Sequence, residues 1–183
     1  MLKYALLGFL TYTPMTGYDL KHQFAVVAAS FWHAEVSQIY LTLKKLEAER
    51  LVTSQIQPQD DHPDRRLYTI TDRGRHDLRA WLSEPITELP PIKQPVLLKL
   101  FFAAPMEQVE LLTQLRLLRN LHLQKVSYYR GPVLAHIRGV VERHPHLEKD
   151  ARLWEATRRF GELSHETYLR WLDETIAMVE EQW

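Results

Sequence analysis

The side chains best placed for contacts with another molecule lie in one short segment, residues 38–52. Its apolar side chains Ile39, Leu43 and Leu46 recur at helical spacing and predict one buried stripe. At about 100° per residue, the opposite face is small, polar and cationic. That face carries Ser37, Leu41, Lys44, Lys45 and Ala48, with Gln38 and Tyr40 on its flanks. Such a surface suits a helix that lies in the major groove of DNA.

The residues that follow this helix are predicted to form a β-hairpin. Residues 52–57 and 66–71 have the composition of strands, and the polar stretch 58–65 between them is a predicted turn. A helix followed by a hairpin is the order of a winged helix-turn-helix. The sequence leaves two roles open for Arg65 and Arg66. Either they contact phosphate or the minor groove of DNA, or they form a solvated charge pair on the hairpin. Three carboxylates at the hairpin tip would repel phosphate: Asp60, Asp61 and Asp64.

The charge balance weighs against a strongly basic nucleic-acid binder. The chain has 23 Lys and Arg against 23 Asp and Glu, and residues 1–84 are balanced as well. Neutrality lowers the expected affinity for DNA, because phosphate neutralisation supplies most of that affinity. Cations nevertheless lie on or beside the predicted helix and hairpin: Lys44, Lys45, Arg65, Arg66, Arg73 and Arg75. A local basic patch is therefore compatible with the zero net charge.

No arrangement of residues indicates catalysis. The chain lacks a Gly-rich phosphate loop, a nucleophile elbow and a His-x-x-x-His pair, and it has no cysteine for a disulfide or a thiolate metal site. The pair His144 and His146 and the run 60–62 are weak metal candidates, since adjacent residues rarely satisfy metal geometry. We therefore predict no enzyme activity, no metal and no cofactor.

The apolar runs are too short for a membrane protein. Beyond the N-terminus the longest is Leu97 to Pro105, which is interrupted by Lys99 and cannot span a bilayer. The N-terminal run lacks the cleavage site of a signal peptide. We expect a soluble, cytoplasmic protein with no membrane partner.

Four helices and the hairpin make up a predicted N-terminal domain, residues 1–84. The first helix spans 2–11, and the pattern that starts at Thr16 resembles a capping box for the second helix. Ser37 is the expected N-cap of the third helix, and Thr71 begins the fourth.

A proline-rich linker, residues 85–95, precedes a predicted all-helical domain, residues 96–183. Pro105 is expected to be the first residue of a long helix, which Gly131-Pro132 kinks or breaks. A last helix from about residue 147 to 181 would be roughly 50 Å long. Because that exceeds what a domain of this size needs, we expect part of its apolar face to contact a second subunit. Its aromatic side chains either line an effector pocket or pack in the core or a dimer interface: Trp154, Phe160, Tyr168 and Trp171.

These segments together resemble PadR-type transcriptional regulators, in the longer subgroup that has a virulence-activator-like helical C-terminal domain. The matching residues are Leu6-Leu7-Gly8-Phe9-Leu10, Pro14 to Leu20, Phe31-Trp32, Gln38-Ile39-Tyr40, Leu43, Leu46-Glu47, Leu51-Val52, Arg66, Tyr68 to Thr71, Gly74, Leu78, Trp81-Leu82, Leu97 to Ala103 and Trp171 to Glu174. They cover most of the chain, and their combination is specific although each piece alone is weak.

The resemblance implies a mainly α-helical fold with a small β-hairpin, in which a winged helix-turn-helix domain precedes a helical dimerisation domain. It also implies a homodimeric repressor that binds double-stranded DNA at an inverted-repeat operator. A small aromatic or phenolic effector would relieve this binding, at residues that the resemblance does not identify. By position, the implied DNA-binding residues are Thr16, Gly17 and Tyr18 near the DNA backbone, Ser37, Gln38, Tyr40, Thr42, Lys44 and Lys45 on the third helix, and Arg65 and Arg66 in the wing.

Two positions depart from the family pattern, which has proline in place of Leu41 and glycine in place of Arg50. Arg50 lacks glycine's freedom at positive φ, so the turn into the hairpin is expected to differ. Leu41 either contacts a thymine methyl or marks imperfect patterning. The neutral charge and the acidic tip favour an alternative function, a winged-helix adaptor that binds proteins rather than DNA.

Overall fold

Helices and a small sheet build the first of two units in the computed structural model, which describes residues 1–24, 35–58, 65–89 and 93–183. The two units are Met1–Pro90 and Pro91–Trp183. In the described residues the first unit contains α1 (Leu2–Leu10), β1 (Met15–Thr16), α2 (Gly17–Gln23), α3 (Val36–Ala48), β2 (Val52–Gln57), β3 (Arg65–Ile70) and α4 (Asp72–Ser83).

The sheet of the first unit is antiparallel, and β3 is its central strand. β3 pairs with β1 through Met15 and Tyr68, and with β2 from the Val52–Ile70 pair onward. The hairpin confirms the two predicted strands, whereas the short β1 was not predicted. The helices and the sheet enclose one core of buried apolar side chains: Leu6, Leu7, Leu10, Met15, Leu20, Phe24, Ile39, Leu43, Leu46, Leu51, Val52, Tyr68, Ile70 and Leu78.

Two threonines cap helices in this unit, as the sequence predicts. The Thr16 hydroxyl accepts from the Asp19 N–H at 3.1 Å, and the Asp19 carboxylate accepts from the Thr16 N–H at 2.9 Å. This reciprocal pair is a capping box, which satisfies two backbone N–H groups that the helix leaves free. The Thr71 hydroxyl accepts from the Gly74 N–H at 3.0 Å and so begins α4.

The prediction that Ser37 caps α3 is wrong. The helix begins at Val36, and Glu35 holds the extended N-cap conformation. Ser37 is therefore already inside the first turn, with its side chain exposed. The predicted aromatic connector Phe31-Trp32 lies outside the described residues.

The second unit is helical throughout its regular structure in residues 93–183. It contains α5 (Pro95–Phe101), α6 (Gln108–Tyr128), a π-helical turn (Tyr129–Val133), α7 (Leu134–Arg143), a 3₁₀ turn (Pro145–Leu147) and α8 (Glu148–Gln182). None of the described helices combines the length and the apolar composition that crossing a membrane requires.

Helices α6 and α8 pack side by side and supply most of the second core. The buried apolar residues of that core are Ala103, Leu111, Leu112, Leu115, Leu172 and Val179. Pro105 does not start α6, because the helix begins three residues later at Gln108. Pro95 instead has the position at the start of a helix, in α5. The expected break at Gly131-Pro132 occurs as the π-helical turn, which accommodates a proline that has no N–H to donate.

Candidate nucleic-acid interface

Helix α3 has one fully buried side and one exposed side, as its sequence predicts. Ile39, Leu43 and Leu46 are at most 1 % exposed, so they anchor the helix in the core of the first unit. The opposite side is open to solvent along its whole length: Ser37, Gln38, Leu41, Lys44, Lys45 and Ala48 are all exposed. The core thus holds α3 with its polar and cationic face outward.

The polar side chains of α3 divide into those with partners and those without. The Thr42 hydroxyl donates to the Gln38 carbonyl at 2.7 Å, and Glu47 accepts from Ser54 and from Arg66. In the described part of the chain, the side chains of Ser37, Gln38, Lys44 and Lys45 have no hydrogen-bond or ion-pair partner. These four side chains are available to a ligand, whereas Thr42 is half-buried and its hydroxyl is already engaged.

The start of α2 lies directly against α3. A Cβ atom on Gly17 would be 2.4 Å from Cε1 of Tyr40, so glycine permits this close approach. The Thr16 hydroxyl is engaged in the capping box, whereas Tyr18 is 67 % exposed and Tyr40 is 43 % exposed. Three predicted residues lie at the start of α2, and of these only Tyr18 presents an exposed side chain. Thr16 caps the helix, and Gly17 leaves room for Tyr40.

The hairpin presents two arginines of different status. Arg66 on β3 donates to Glu47 of α3 at 3.3 Å, which fixes the hairpin to the helix. Arg65 is exposed and has no ion-pair partner in the described residues. Burial raises the pKa of the neighbouring Tyr68, whose phenol belongs to the core. The acidic tip with Asp60, Asp61 and Asp64 lies outside the residues that the structure describes.

Contacts connect the predicted residues of α2, α3 and β3 into one region of the first unit. Gly17 contacts Tyr40, and Glu47 joins α3 to Arg66. The region offers hydrogen-bonding groups, the two exposed tyrosines Tyr18 and Tyr40, and cations. Wherever the structure describes side chains, no three His, Asp or Glu side chains converge on a metal position. That these residues contact DNA stays a prediction.

A pair of histidines in the second unit was missed in the sequence. His122 on α6 and His165 on α8 have their Nδ1 atoms 2.8 Å apart, and the His122 ring stacks on Tyr168. They line an open pocket of about 470 Å³ together with Leu121, Gln124, Lys125 and Tyr128. Burial lowers the pKa of both imidazoles. No local signal could have revealed the pair, because its members are 43 residues apart in the chain.

Helix α3, with its exposed polar face, precedes a β-hairpin and shares one core with three further helices, α1, α2 and α4. This arrangement defines a winged helix-turn-helix of the kind found in DNA-binding transcriptional regulators. The chain combines a PadR-like transcriptional regulator domain with a virulence activator C-terminal domain. Residues 6–80 match the model "Transcriptional regulator PadR-like family", and residues 92–180 match the model "Virulence activator alpha C-term".

Relatives cover nearly the full length of the chain. The negative transcriptional regulator PadR of Bacillus subtilis is 29 % identical and matches 98 % of both chains. The crystal structure of Bacillus subtilis PadR in complex with operator DNA is similar with a TM-score of 0.83 at 26 % identity, covering 97 % of this chain and 98 % of that one. The crystal structure of the same regulator with p-coumaric acid has a TM-score of 0.77 at 26 % identity, covering 98 % and 99 %.

Proposed function

We propose that this protein is a homodimeric transcriptional repressor that binds an inverted-repeat operator through the exposed face of α3. The observation that carries the proposal is the set of uncommitted side chains on that face, above all Lys44 and Lys45. The similarity over the whole chain to a negative regulator whose structure contains operator DNA supports it. Such a protein works by binding alone, so we propose no enzymatic activity, and we propose the cytoplasm as its location.

The proposed roles follow from where each side chain lies. Ser37 and Gln38 are in the first turn of α3, the part of a recognition helix that contacts base edges. Lys44, Lys45 and Arg65 are exposed cations that we assign to phosphates. Tyr18 and Tyr40 are assigned to the DNA backbone. Four residues would support these contacts from within the protein: Thr16, Gly17, Thr42 and Arg66.

The two units have separate roles in this proposal. Residues 1–84, within the first unit, are proposed to bind DNA. Residues 96–183, within the second unit, are proposed to form the dimer, and residues 85–95 to link the two parts. A two-fold dimer presents two copies of α3, so the half-sites should be about 34 Å apart or a multiple of that distance.

A small aromatic acid is the proposed effector, supported by the similar regulator whose structure contains p-coumaric acid. The pocket beside His122 and His165 has suitable chemistry, since it combines aromatic rings with the Lys125 cation. An effector relieves repression only if it binds the DNA-free state more tightly than the DNA-bound state.

Fluorescence anisotropy tests the proposal. Labelled DNA from upstream of the protein's own gene is titrated with the wild type at several salt concentrations, with unrelated DNA as a control. The K44A/K45A variant should bind more weakly, and its salt slope should fall by about two units because two phosphate contacts are lost. The double variant Lys93→Ala with Lys149→Ala removes two exposed lysines elsewhere and should behave as the wild type. Adding p-coumaric acid should weaken binding of the wild type.

Two outcomes would contradict the proposal. Equal, feeble binding of the wild type to both DNAs would favour the protein-binding adaptor. Specific binding that K44A/K45A leaves unchanged would mean that a surface other than α3 contacts the DNA.

A further inference from the structure

Leu41 lies at the centre of the exposed face of α3. It is 51 % exposed. At about 100° per residue it points about 160° away from the buried Ile39 and Leu43, and it is not part of the core that the described residues form. Its neighbours at i−4, i+3 and i+4 are Ser37, Lys44 and Lys45, which are exposed and free of partners in the described residues.

An exposed leucine is ordinary on a protein surface, but this one is placed among groups that suit nucleic acid. Of the side chains within about 60° of Leu41 around the helix, all others are polar, cationic or alanine. When such a face enters the major groove, its central side chain meets base edges while the lysines reach the phosphates on either side. Leu41 can neither donate nor accept a hydrogen bond, so it must meet an apolar group or leave a polar group unsatisfied.

We infer that Leu41 is a specificity-determining residue that contacts the C5-methyl group of a thymine. Among the four bases only thymine presents a methyl group in the major groove, whereas adenine, guanine and cytosine present donors or acceptors at their edges. Leu41 therefore favours thymine at one position of each half-site and disfavours the other bases by covering their polar groups. This inference rests on the proposed function, since it assumes that α3 enters DNA.

The test compares thymine with uracil, which pairs identically but lacks the methyl group. A duplex is first selected from a random pool by the wild-type protein, and each thymine is then replaced by uracil in turn. Anisotropy should show a loss of about fourfold in affinity at one position of each half-site, the effect of withdrawing one buried methyl group. At that position L41A should bind thymine and uracil equally, and L41M should keep the preference. The variant Leu82→Ala, which shortens an exposed leucine on α4, should match the wild type.

The outcomes separate the inference from the proposed function. If the wild type selects a sequence but no uracil substitution weakens binding, or if the loss persists in L41A, the inference is wrong while the DNA-binding function stands. If the wild type selects no sequence and shows no salt-dependent binding, both are wrong. Leu41 is exposed and is not part of the core formed by the described residues. Thermal denaturation of L41A should therefore match that of the wild type, and a change in affinity cannot then be assigned to unfolding.

Discussion

Arg50 holds a backbone conformation that its side chain disfavours. Its φ angle is 58°, in the left-handed region. The Arg50 N–H donates to the Glu47 carbonyl at 2.9 Å, and the Leu51 N–H donates to the Leu46 carbonyl at 2.9 Å. This is the Schellman pattern that ends a helix, in which glycine is the usual residue at the left-handed position. Arginine thus occupies the left-handed position of this turn, and the backbone bears the strain. That the turn differs from the family's stays a prediction.

Replacing Arg50 with glycine should stabilise the first unit. We expect a gain of about 0.5–1 kcal/mol in the free energy of unfolding, since relief of the left-handed strain exceeds the entropy that glycine adds to the unfolded chain. The measurement is urea denaturation. The control Arg50→Ala removes the same charge and side chain but keeps a Cβ atom, so it should give no such gain. Equal stability of the two variants would contradict this account.

The residues that sequence analysis placed correctly are those whose structure is decided locally. The capping box at Thr16 and the cap at Thr71 depend on hydrogen bonds over three residues, and a short pattern specifies them. Ser37 has the right chemistry for a cap, but the helix starts one residue before it. The outward face of α3 was predicted because 3.6-residue periodicity fixes it, whereas the engagement of Arg66 by Glu47 depends on how the hairpin packs on the helix.

At the scale of elements, the π-helical turn and α8 are joined by a network of charges. Arg158 on α8 is 7 % exposed, and it donates to Glu155, to Glu162 and to the carbonyl of Tyr129 in the π-helical turn. Arg130 in the same turn donates to Glu162 at 2.7 Å and also to Glu166. The network therefore satisfies a carbonyl in the turn around Pro132, where the helical hydrogen bonds are irregular.

Within this network, we expect the loss of Glu162 to lower the free energy of unfolding most. Hydrogen bonds from Arg130 and then Arg158 lower its pKa to about 2. E162Q should reduce the free energy of unfolding by about 2 kcal/mol at pH 7, because it leaves buried Arg158 with one carboxylate fewer. Urea denaturation measures this loss of stability. Glu174→Gln, at an exposed position of the same helix, is the control and should change the free energy of unfolding little.

We also predict that the effect of E162Q on the free energy of unfolding depends on pH. A carboxylate whose pKa is lowered on folding stabilises the protein above its unfolded pKa, and this contribution is lost as pH falls toward the folded value. The difference between wild type and E162Q should therefore shrink as pH falls from about 5 toward 2, the window between the unfolded and folded pKa values. A difference that stays constant over this range would mean that the charge of Glu162 is not what stabilises the fold.

The histidine pair between α6 and α8 should make the second unit sensitive to mild acid. Burial lowers the pKa of His122, and burial, then the charges of His122 and Lys125, lower that of His165. The unfolded chain then binds protons more readily than the folded one, so stability is present above the ordinary histidine pKa and falls below it. The Nδ1–Nδ1 hydrogen bond also requires one unprotonated nitrogen.

We expect wild-type stability to fall between about pH 7 and 5, and His165→Asn to flatten this dependence because the amide does not titrate. Urea denaturation across that range measures the effect, and the exposed His146→Asn is the matched control. If His165→Asn leaves the slope of stability against pH unchanged, the acid sensitivity belongs to other groups.

The histidine pair also shows a limit of prediction from sequence at the scale of elements. Each of the two helices was predicted, but the register in which they bring side chains together was not.

For the whole molecule, the long α8 carries apolar side chains that its own unit does not cover. Phe160 is 70 % exposed, Leu153 is 65 % exposed and Leu163 is 46 % exposed. On the helix, Leu153 and Phe160 lie opposite buried Ala151 and Arg158, so α8 has an apolar strip on the side away from its packed face. The sequence predicted such a strip from helix length, and a second copy of the chain is the partner that the proposed homodimer provides.

The substitution Phe160→Glu tests whether this strip forms the dimer. A carboxylate in an apolar interface would be desolvated without a partner, so the variant should be monomeric in sedimentation equilibrium at concentrations where the wild type is a dimer. Its affinity for an inverted-repeat operator should fall by about 100-fold or more, because two linked recognition helices bind far more tightly than one. Leu82→Glu places the same charge on an exposed leucine of the first unit and should stay dimeric. A Phe160→Glu protein that remains a dimer with full affinity would show that the subunits meet elsewhere, and the exposed strip on α8 would then need another explanation.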